Sequence, residues 1–446
     1  MTAALRTGLL WLGGEWLRLR RDPVARAVLL ALALLLAASA LGAGGAARQL
    51  RQDDRQAAQQ IGAARQAALD SAAATAPADP AAAQQAVRAA YALARGDLGS
   101  ARLPPGAGLP LAVQAWRQQP TVQRASVELR ALDGRAPGAA LQSPLLAATG
   151  LPDFAAVCAL LLPLALLALC AGAVQDERAT GTWLQVRAQG TRTPAAVASI
   201  AVLLRGALVL AVAVAASALA FATGGDGGPG TSGALVAWCG ALALYTAFWC
   251  AVCLALQRLP VSAGAATMAG LGLWLALCFA APPLLAAVAE RQAPMPSRLE
   301  AVVALRAARQ RAEDDEAALL AAWYAAHPQH RPPPAVAPAA PGWPVTFVPR
   351  ALTADAALRP LQRRFPAARA AQEDHLRRHA WLSPPLALLL QARRLAGADA
   401  ARHAGYLAAV DAYEDRWRGF WVPRILGYRG LVRSDAGELP VFRAPS

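Results

Sequence analysis

The chain alternates between long uncharged apolar blocks and long polar ones. Ala27–Ala46, Phe154–Val174, Gly233–Leu256 and Val261–Ala289 carry no charged residue, and Pro194–Ala222 carries one, Arg205. A helix needs about 20 such residues to cross a hydrocarbon layer of about 30 Å, so this pattern predicts about five transmembrane helices. The last block is overlong for one crossing unless the helix tilts or ends near Pro282 and Pro283. Residues 1–26 precede the first block as a basic amphipathic helix. Leu9, Leu10, Trp11, Leu12, Trp16 and Leu17 form its apolar side, Arg18, Arg20, Arg21 and Arg26 follow, and Pro23 marks the turn into the membrane. A cleaved signal peptide competes with this reading of the N-terminus, and the long structured segment before the apolar run favours an uncleaved anchor.

The polar blocks are unequal. Residues 47–152 are rich in Gln and Ala, with helical patterns that break at Pro77, Pro80 and Pro104–Pro105. Residues 290–446 predict one long helix over Ser297–His327, an extended proline-rich stretch over Arg331–Pro344, and further helix to about Trp417. The other polar segments are short: 175–193, the Gly-rich turn 223–232, and Gln257–Pro260. The expected fold is an all-α polytopic membrane protein. It has a connector helix at 1–26, a first span at 27–46, and spans two to five within 153–289. Two mostly helical extracytoplasmic domains occupy 47–152 and 290–446.

Arginine placement orients the chain. Arginines lie before span one (Arg6, Arg18, Arg20, Arg21, Arg26), between spans two and three (Arg178, Arg187, Arg192) and between spans four and five (Arg258), and the turn between spans three and four has none. By the positive-inside rule these segments are cytoplasmic, which puts both large domains outside. The expected location is a bacterial inner membrane with a cytoplasmic N-terminus.

Composition then narrows the chemistry. Of 446 residues 56% are hydrophobic and 16% charged, with a net charge of +15. No lysine occurs, so the basic charge is all arginine. A phosphate-binding P-loop needs a lysine after its second glycine, and a Schiff base needs one outright, so neither chemistry is encoded here. No arginine–aromatic stripe reads as a nucleic-acid platform, and the positive charge is explained by membrane-flanking arginine. The six cysteines all lie in apolar blocks, which implies no disulfide framework. Cys250 and Cys253 form a C-x-x-C inside a span, where small packing residues are the favoured reading over a redox or metal pair.

The segment 175–184 carries the most specific signal. It runs Gln175-Asp176-Glu177-Arg178-Ala179-Thr180-Gly181-Thr182-Trp183-Leu184 between two spans. A compact amphipathic element held at both ends by membrane helices can transmit force from a soluble partner, whereas a merely solvated loop cannot. Glu177, Arg178, Gly181 and Thr182, followed by Trp183-Leu184, resemble the E-R-x-x-G-T-L coupling element of ABC transporter permeases of the type-2 exporter class. Glu15-Trp16-Leu17 with Arg20-Arg21-Asp22 resembles the connector helix of that class. Leu382-Ser383-Pro384-Pro385 and Leu395–His403 resemble a bacterial subgroup with a second extracytoplasmic domain of unknown function. The resemblance implies a permease that works with a separate ATPase subunit, paired with itself or a related permease, with no cofactor on this chain. It implies that Asp176 and Glu177 face the ATPase, that Gly181 permits a tight turn, and that Thr182 caps the following helix. It also implies a sixth span beyond Ser446.

Arg205 reads as a gate, as a partner for Glu177 or a lipid phosphate, or as a side chain that snorkels to headgroups. His375 and His379 are four residues apart beside Glu373 and Asp374, but two arginines between them and the absence of H-E-x-x-H favour a solvated helix face over a zinc protease site. A non-transport scaffold or sensor, binding through the outer domains, is the alternative to a permease.

Overall fold

The computed structural model describes residues 3–128, 153–181, 194–225, 227–228 and 230–445, with side chains described from Leu12 onward except at 173, 176 and 194–198. Trp183, Leu184 and the part of the first outer segment beyond residue 128 lie outside the described residues. The helices in chain order are α1 (Ala3–Arg21), α2 (Pro23–Asp70), α3 (Pro80–Arg95), α4 (Val113–Arg117), α5 (Phe154–Cys170), α6 (Ala173–Ala179), α7 (Pro194–Gly224) and α8 (Thr231–Arg258). They continue with α9 (Ala263–Leu275), α10 (Ala281–Gln292), α11 (Arg298–Asp314), α12 (Glu316–Ala326), α13 (Trp343–His379), α14 (Pro384–Ala396) and α15 (Ala400–Leu426). A short antiparallel pair, β1 (Ser100–Arg102) and β2 (Val122–Arg124), is the one departure from helix among the regular described elements, with Ser100 opposite Arg124.

Four described helices are long and apolar enough to cross a membrane: α2, α7 over Ser199–Gly224, α8, and the continuous run Ala263–Gln292. The second expected span, α5, is apolar but only 17 residues long. At about 1.5 Å per residue it covers roughly 25 Å, less than the hydrocarbon layer. The run from Ala263 does not end at its prolines. A π-helical turn, Ala276–Ala280, precedes Pro282 and Pro283, which sit in the first turn of α10. Proline is tolerated there because its missing N–H falls where the helical register has already shifted.

Within the apolar bundle α2 lies along α7 at very short range. A Cβ on Gly44 would collide with Thr223 Oγ1, and one on Gly224 would come within 2.8 Å of Gly44 Cα, so glycine is what allows the crossing. Two interior polar side chains are paired, as a water-free layer favours: Trp238 Nε1 donates to Ser217 Oγ (3.0 Å) and Tyr245 Oη to the Ala159 carbonyl (2.6 Å), whereas Thr246 Oγ1 and Trp249 Nε1 are buried without a hydrogen-bond partner among the described residues.

The largest difference from expectation concerns the two polar segments. They form one folded unit rather than two domains. Tyr406 Oη donates to Ala101 O (2.9 Å), Trp417 Nε1 to Ala94 O (2.8 Å), and Arg65 Nη2 to Leu439 O (2.7 Å). Ala73 bridges to Val432. The aromatic residues that drive this assembly, Tyr406, Tyr413, Trp417 and Trp421, are almost wholly buried, and each brings a large apolar area to the interface. The same burial carries α15 on to Leu426, past the expected end near Trp417.

The helix that contains the first expected span continues beyond Ala46. Helix α2 runs unbroken for 48 residues, about 72 Å, from Asp22, whose side chain caps its first turn, to Asp70 in the polar unit. The single helix expected over Ser297–His327 is two, broken at Asp315. Asp314, Asp315 and Glu316 place negative charge where it opposes the C-terminal dipole of one helix and favours the N-terminus of the next. His375 is buried rather than solvated, with its ring 4.3 Å from that of His379. No group of three or more metal-ligating side chains occurs among the described residues.

Arg418 holds the unit together at its centre. It bonds to Asp355 (2.6 Å) and Glu414 (3.1 Å), both almost fully buried, and to the carbonyls of Ser126 and Glu128 in the first polar segment. Burial on its own raises the Asp355 carboxyl, but the Arg418 and Arg359 guanidiniums outweigh it and hold the group below the ordinary aspartate range. A depressed carboxylate contributes its stability in full above the ordinary value of 3.8 and loses it as pH falls below that value. Replacing Arg418 with Met removes the cation that joins both acids to the first segment, and should cost roughly 3–5 kcal/mol, read as a lower unfolding midpoint of the purified protein. A midpoint unchanged from the parent would show that Arg418 does not secure the unit.

Candidate functional site

At the end of the bundle opposite the polar unit, α1, α6 and the ends of α5, α7 and α8 meet. Helix α1 is amphipathic, with Leu12, Trp16 and Leu17 exposed and apolar, and Arg18, Arg20 and Arg21 in its last turn. Its position is set by Glu15, whose Oε1 accepts from Arg205 Nη2 (2.6 Å) and Nε (3.2 Å). Arg205 Nη1 also donates to the Leu169 carbonyl in the last turn of α5. One guanidinium therefore joins α1, α5 and α7. The pair is largely shielded, with side-chain exposures of 18% for Arg205 and 10% for Glu15, so water screens it little. Glu177, proposed from sequence as one partner for Arg205, bonds instead to Arg18 (3.0 Å). That pair is more open, with Arg18 69% exposed, and contributes less than about 1 kcal/mol.

Helix α6 is fixed by its glutamine rather than by its charges. Gln175 Nε2 donates to Leu256 O, and Gln257 Nε2 donates to Cys170 O, both at 2.9 Å. Gln257 supplies a donor to a carbonyl in the last turn of α5, and Gln175 adds a second donor to Leu256 O, which also accepts from Leu259 N at 3.1 Å. Arg178 Nη1 reaches Leu259 O (3.3 Å) in the turn before α9. Gly181, one residue past the turn that closes α6, has φ +77° with open space around it, a conformation glycine adopts without strain.

Of the residues singled out from sequence, the structure brings together Glu15 with Arg205, and Glu177 with Arg18 of the same helix as Glu15. Trp16, Arg20 and Arg21 lie exposed on α1. Asp176 is in α6, its side chain outside the description, and Thr182 lies outside the described residues. Sequence reading missed Gln175 and Gln257. The signal was available: each is an uncharged hydrogen-bonding residue at the polar end of an apolar run, where free carbonyls collect.

The arrangement can transmit displacement, and its two shielded charges, Glu15 and Arg205, neutralise each other. A push on α6 or α1 moves the ends of α5, α7 and α8, because bonds of 2.6–3.3 Å tie them.

The family described as Domain of unknown function (DUF3526) matches residues 298–444, the second polar segment. No curated protein and no solved structure matches the chain.

Replacing Arg205 with Met removes its two hydrogen bonds to Glu15 of α1, while preserving side-chain bulk. Trypsin should then cleave at Arg18, Arg20 and Arg21 several-fold faster in membranes, since cleavage follows the open population of α1. An unchanged cleavage rate would mean that α1 is held by something other than this pair.

Proposed function

We propose that this chain is the membrane-spanning permease subunit of an ATP-binding cassette exporter, coupling ATP hydrolysis on a separate subunit to substrate movement across a bacterial inner membrane. The observation that carries the proposal is the joint formed by α1, α6 and Arg205. An amphipathic surface helix and an inter-span helix are bonded to the ends of the same spans, so a soluble motor that docks on α6 acts on several spans at once. On this reading Asp176, Glu177 and Arg178 meet the ATPase, and Gly181 and Thr182 shape the turn that follows. Helix α1 rests at the cytoplasmic headgroups, and a second copy or a related permease completes the pore. The polar unit then lies on the extracytoplasmic side. The absence of lysine from the sequence supports a motor on another chain, because nucleotide phosphates need the P-loop lysine.

A second reading, a membrane scaffold or sensor, has its own observation. A cleft of about 410 Å³ in the polar unit is lined by Ile61, Arg65, Tyr413 and Phe442, with the Asp54–Arg102 ion pair (2.9 Å) on its wall. Mainly apolar clefts of this size with a few polar groups suit small ligands.

Purification of the tagged chain from its native membrane separates the readings. The permease reading expects a Walker-type ATPase at a fixed ratio to the chain, and expects Glu177→Ala to abolish ATP-driven transport in vesicles while the polar unit stays folded. Recovery without an ATPase, together with an inert Glu177→Ala, would contradict it and favour the scaffold.

A further inference from the structure

Helix α14 belongs to the polar unit by sequence, yet its first turn meets a membrane span at mid-length. Ser383 Oγ donates to the Leu277 carbonyl (2.9 Å), and Ser383 is itself fully buried. Leu277 lies in the π turn of the Ala263–Gln292 run. The Ala281 N–H goes to Ala276 O, and Pro282 has no N–H, so Leu277 O lacks a backbone donor one turn on. In a layer without water such a carbonyl needs a partner from the protein, and Ser383 provides it.

The depth of this contact follows from helix geometry. Helix α9 starts at Ser262, which caps it beside the arginine-bearing turn at Arg258. At about 1.5 Å per residue Leu277 lies roughly 21 Å along the span, short of the far edge of a hydrocarbon layer about 30 Å thick. The opposite end of α14 is held at that far edge. Gly106 N and Gly108 N donate to Ala396 O and Leu395 O (both 2.9 Å). Arg51 bonds at once to Gly106 O, Ala107 O and Gly224 O, the last at the end of α7. The composition of α14 has the same gradient: its deep end reads Pro384-Pro385-Leu386-Ala387-Leu388-Leu389-Leu390, and the exposed pair Arg393–Arg394 stands at its shallow end. Immediately before it, Trp381 is 74% and Leu382 42% exposed in the isolated chain.

We propose that the turn Ala380–Leu382 and the apolar half of α14 are immersed in the leaflet nearer the polar unit, with Trp381 and Leu382 in contact with lipid. The polar unit is thereby an inserted body and does not stand clear of the bilayer. This fits the shortness of α5, because α14 packs on α5 and fills the layer that α5 leaves uncovered. Tryptophan at this level matches its preference for the membrane interface, and the occupant is lipid acyl chain and headgroup boundary. The inference rests on the membrane reading of the apolar helices and is independent of the transporter proposal.

The test uses the full chain in phospholipid vesicles. Trp381→Cys is compared with Ala63→Cys, an exposed position on the distal part of α2, for labelling by a membrane-impermeant maleimide, read by mass spectrometry at each site. Immersion predicts labelling at 381 that is slower by roughly tenfold or more. A benzophenone amino acid placed at 381 should, on irradiation, yield a phospholipid adduct. Equal labelling at 381 and 63 would overturn the proposal, as would an adduct to protein, which would mean that another chain covers the patch. Should Trp381→Cys fail to assemble, Leu382→Cys reads the same boundary with the same outcomes.

Discussion

A guanidinium inside an apolar helix bundle has to be paired, and that requirement organises the arginine-rich end of this molecule. Arg205 stands in α7 among apolar helices, with its side chain only 18% exposed. Its three contacts, two to Glu15 and one to Leu169 O, are what make a charge tolerable there. The consequence is mechanical. The amphipathic helix α1 is thereby fastened to α5 and α7. The glutamine bonds of Gln175 and Gln257 extend the same fastening to α6 and α8. Removing water from a site raises the cost of every broken bond in it, so these few contacts define a stiff joint while the exposed Arg18–Glu177 pair can open readily.

The far end obeys the same rule with different partners. Arg51 satisfies carbonyls of the α7 end and of the 106–107 loop together, and Ser383 satisfies the carbonyl freed by the π turn. Between them these residues hold the polar unit to the bundle. Helix α2 and the Ala263–Gln292 run enter it as continuous helices, and Arg418 sews its two sequence segments into one body. On the permease reading, movement of the bundle therefore reaches the polar unit through rigid helices, and movement of the polar unit reaches the lipid through α14.

Four of the five expected spans are described helices long and apolar enough to cross a membrane, legible because uncharged runs of twenty residues favour a hydrocarbon layer. Even there, hydropathy did not reveal that α2 continues far beyond Ala46, since Gln, Ala and Arg propagate a helix as well in water as Leu does in lipid. The joint was half legible. Glu15, Glu177 and Arg205 stood out as charges, but the pairing of Glu15 with Arg205 spans 190 residues of chain, and no local pattern encodes such a partner. The union of the two polar segments was hidden for the same reason: Ala101, Ala94 and Ser126 contribute backbone carbonyls, which carry no side-chain signature. The acidic break at Asp314–Glu316 was readable from helix-dipole chemistry and was overlooked in favour of the surrounding helical periodicity.

That α1 and the bundle move as one body through Glu15 and Arg205 is tested most directly by a double-mutant cycle. Glu15→Gln, Arg205→Gln and the combined variant would be compared by the free energy of opening of α1, from amide hydrogen exchange in nanodiscs. A shielded pair of this geometry should give an interaction energy of about 1–3 kcal/mol, with the double variant little worse than either single one. Strict additivity, within about 0.3 kcal/mol, would contradict the account.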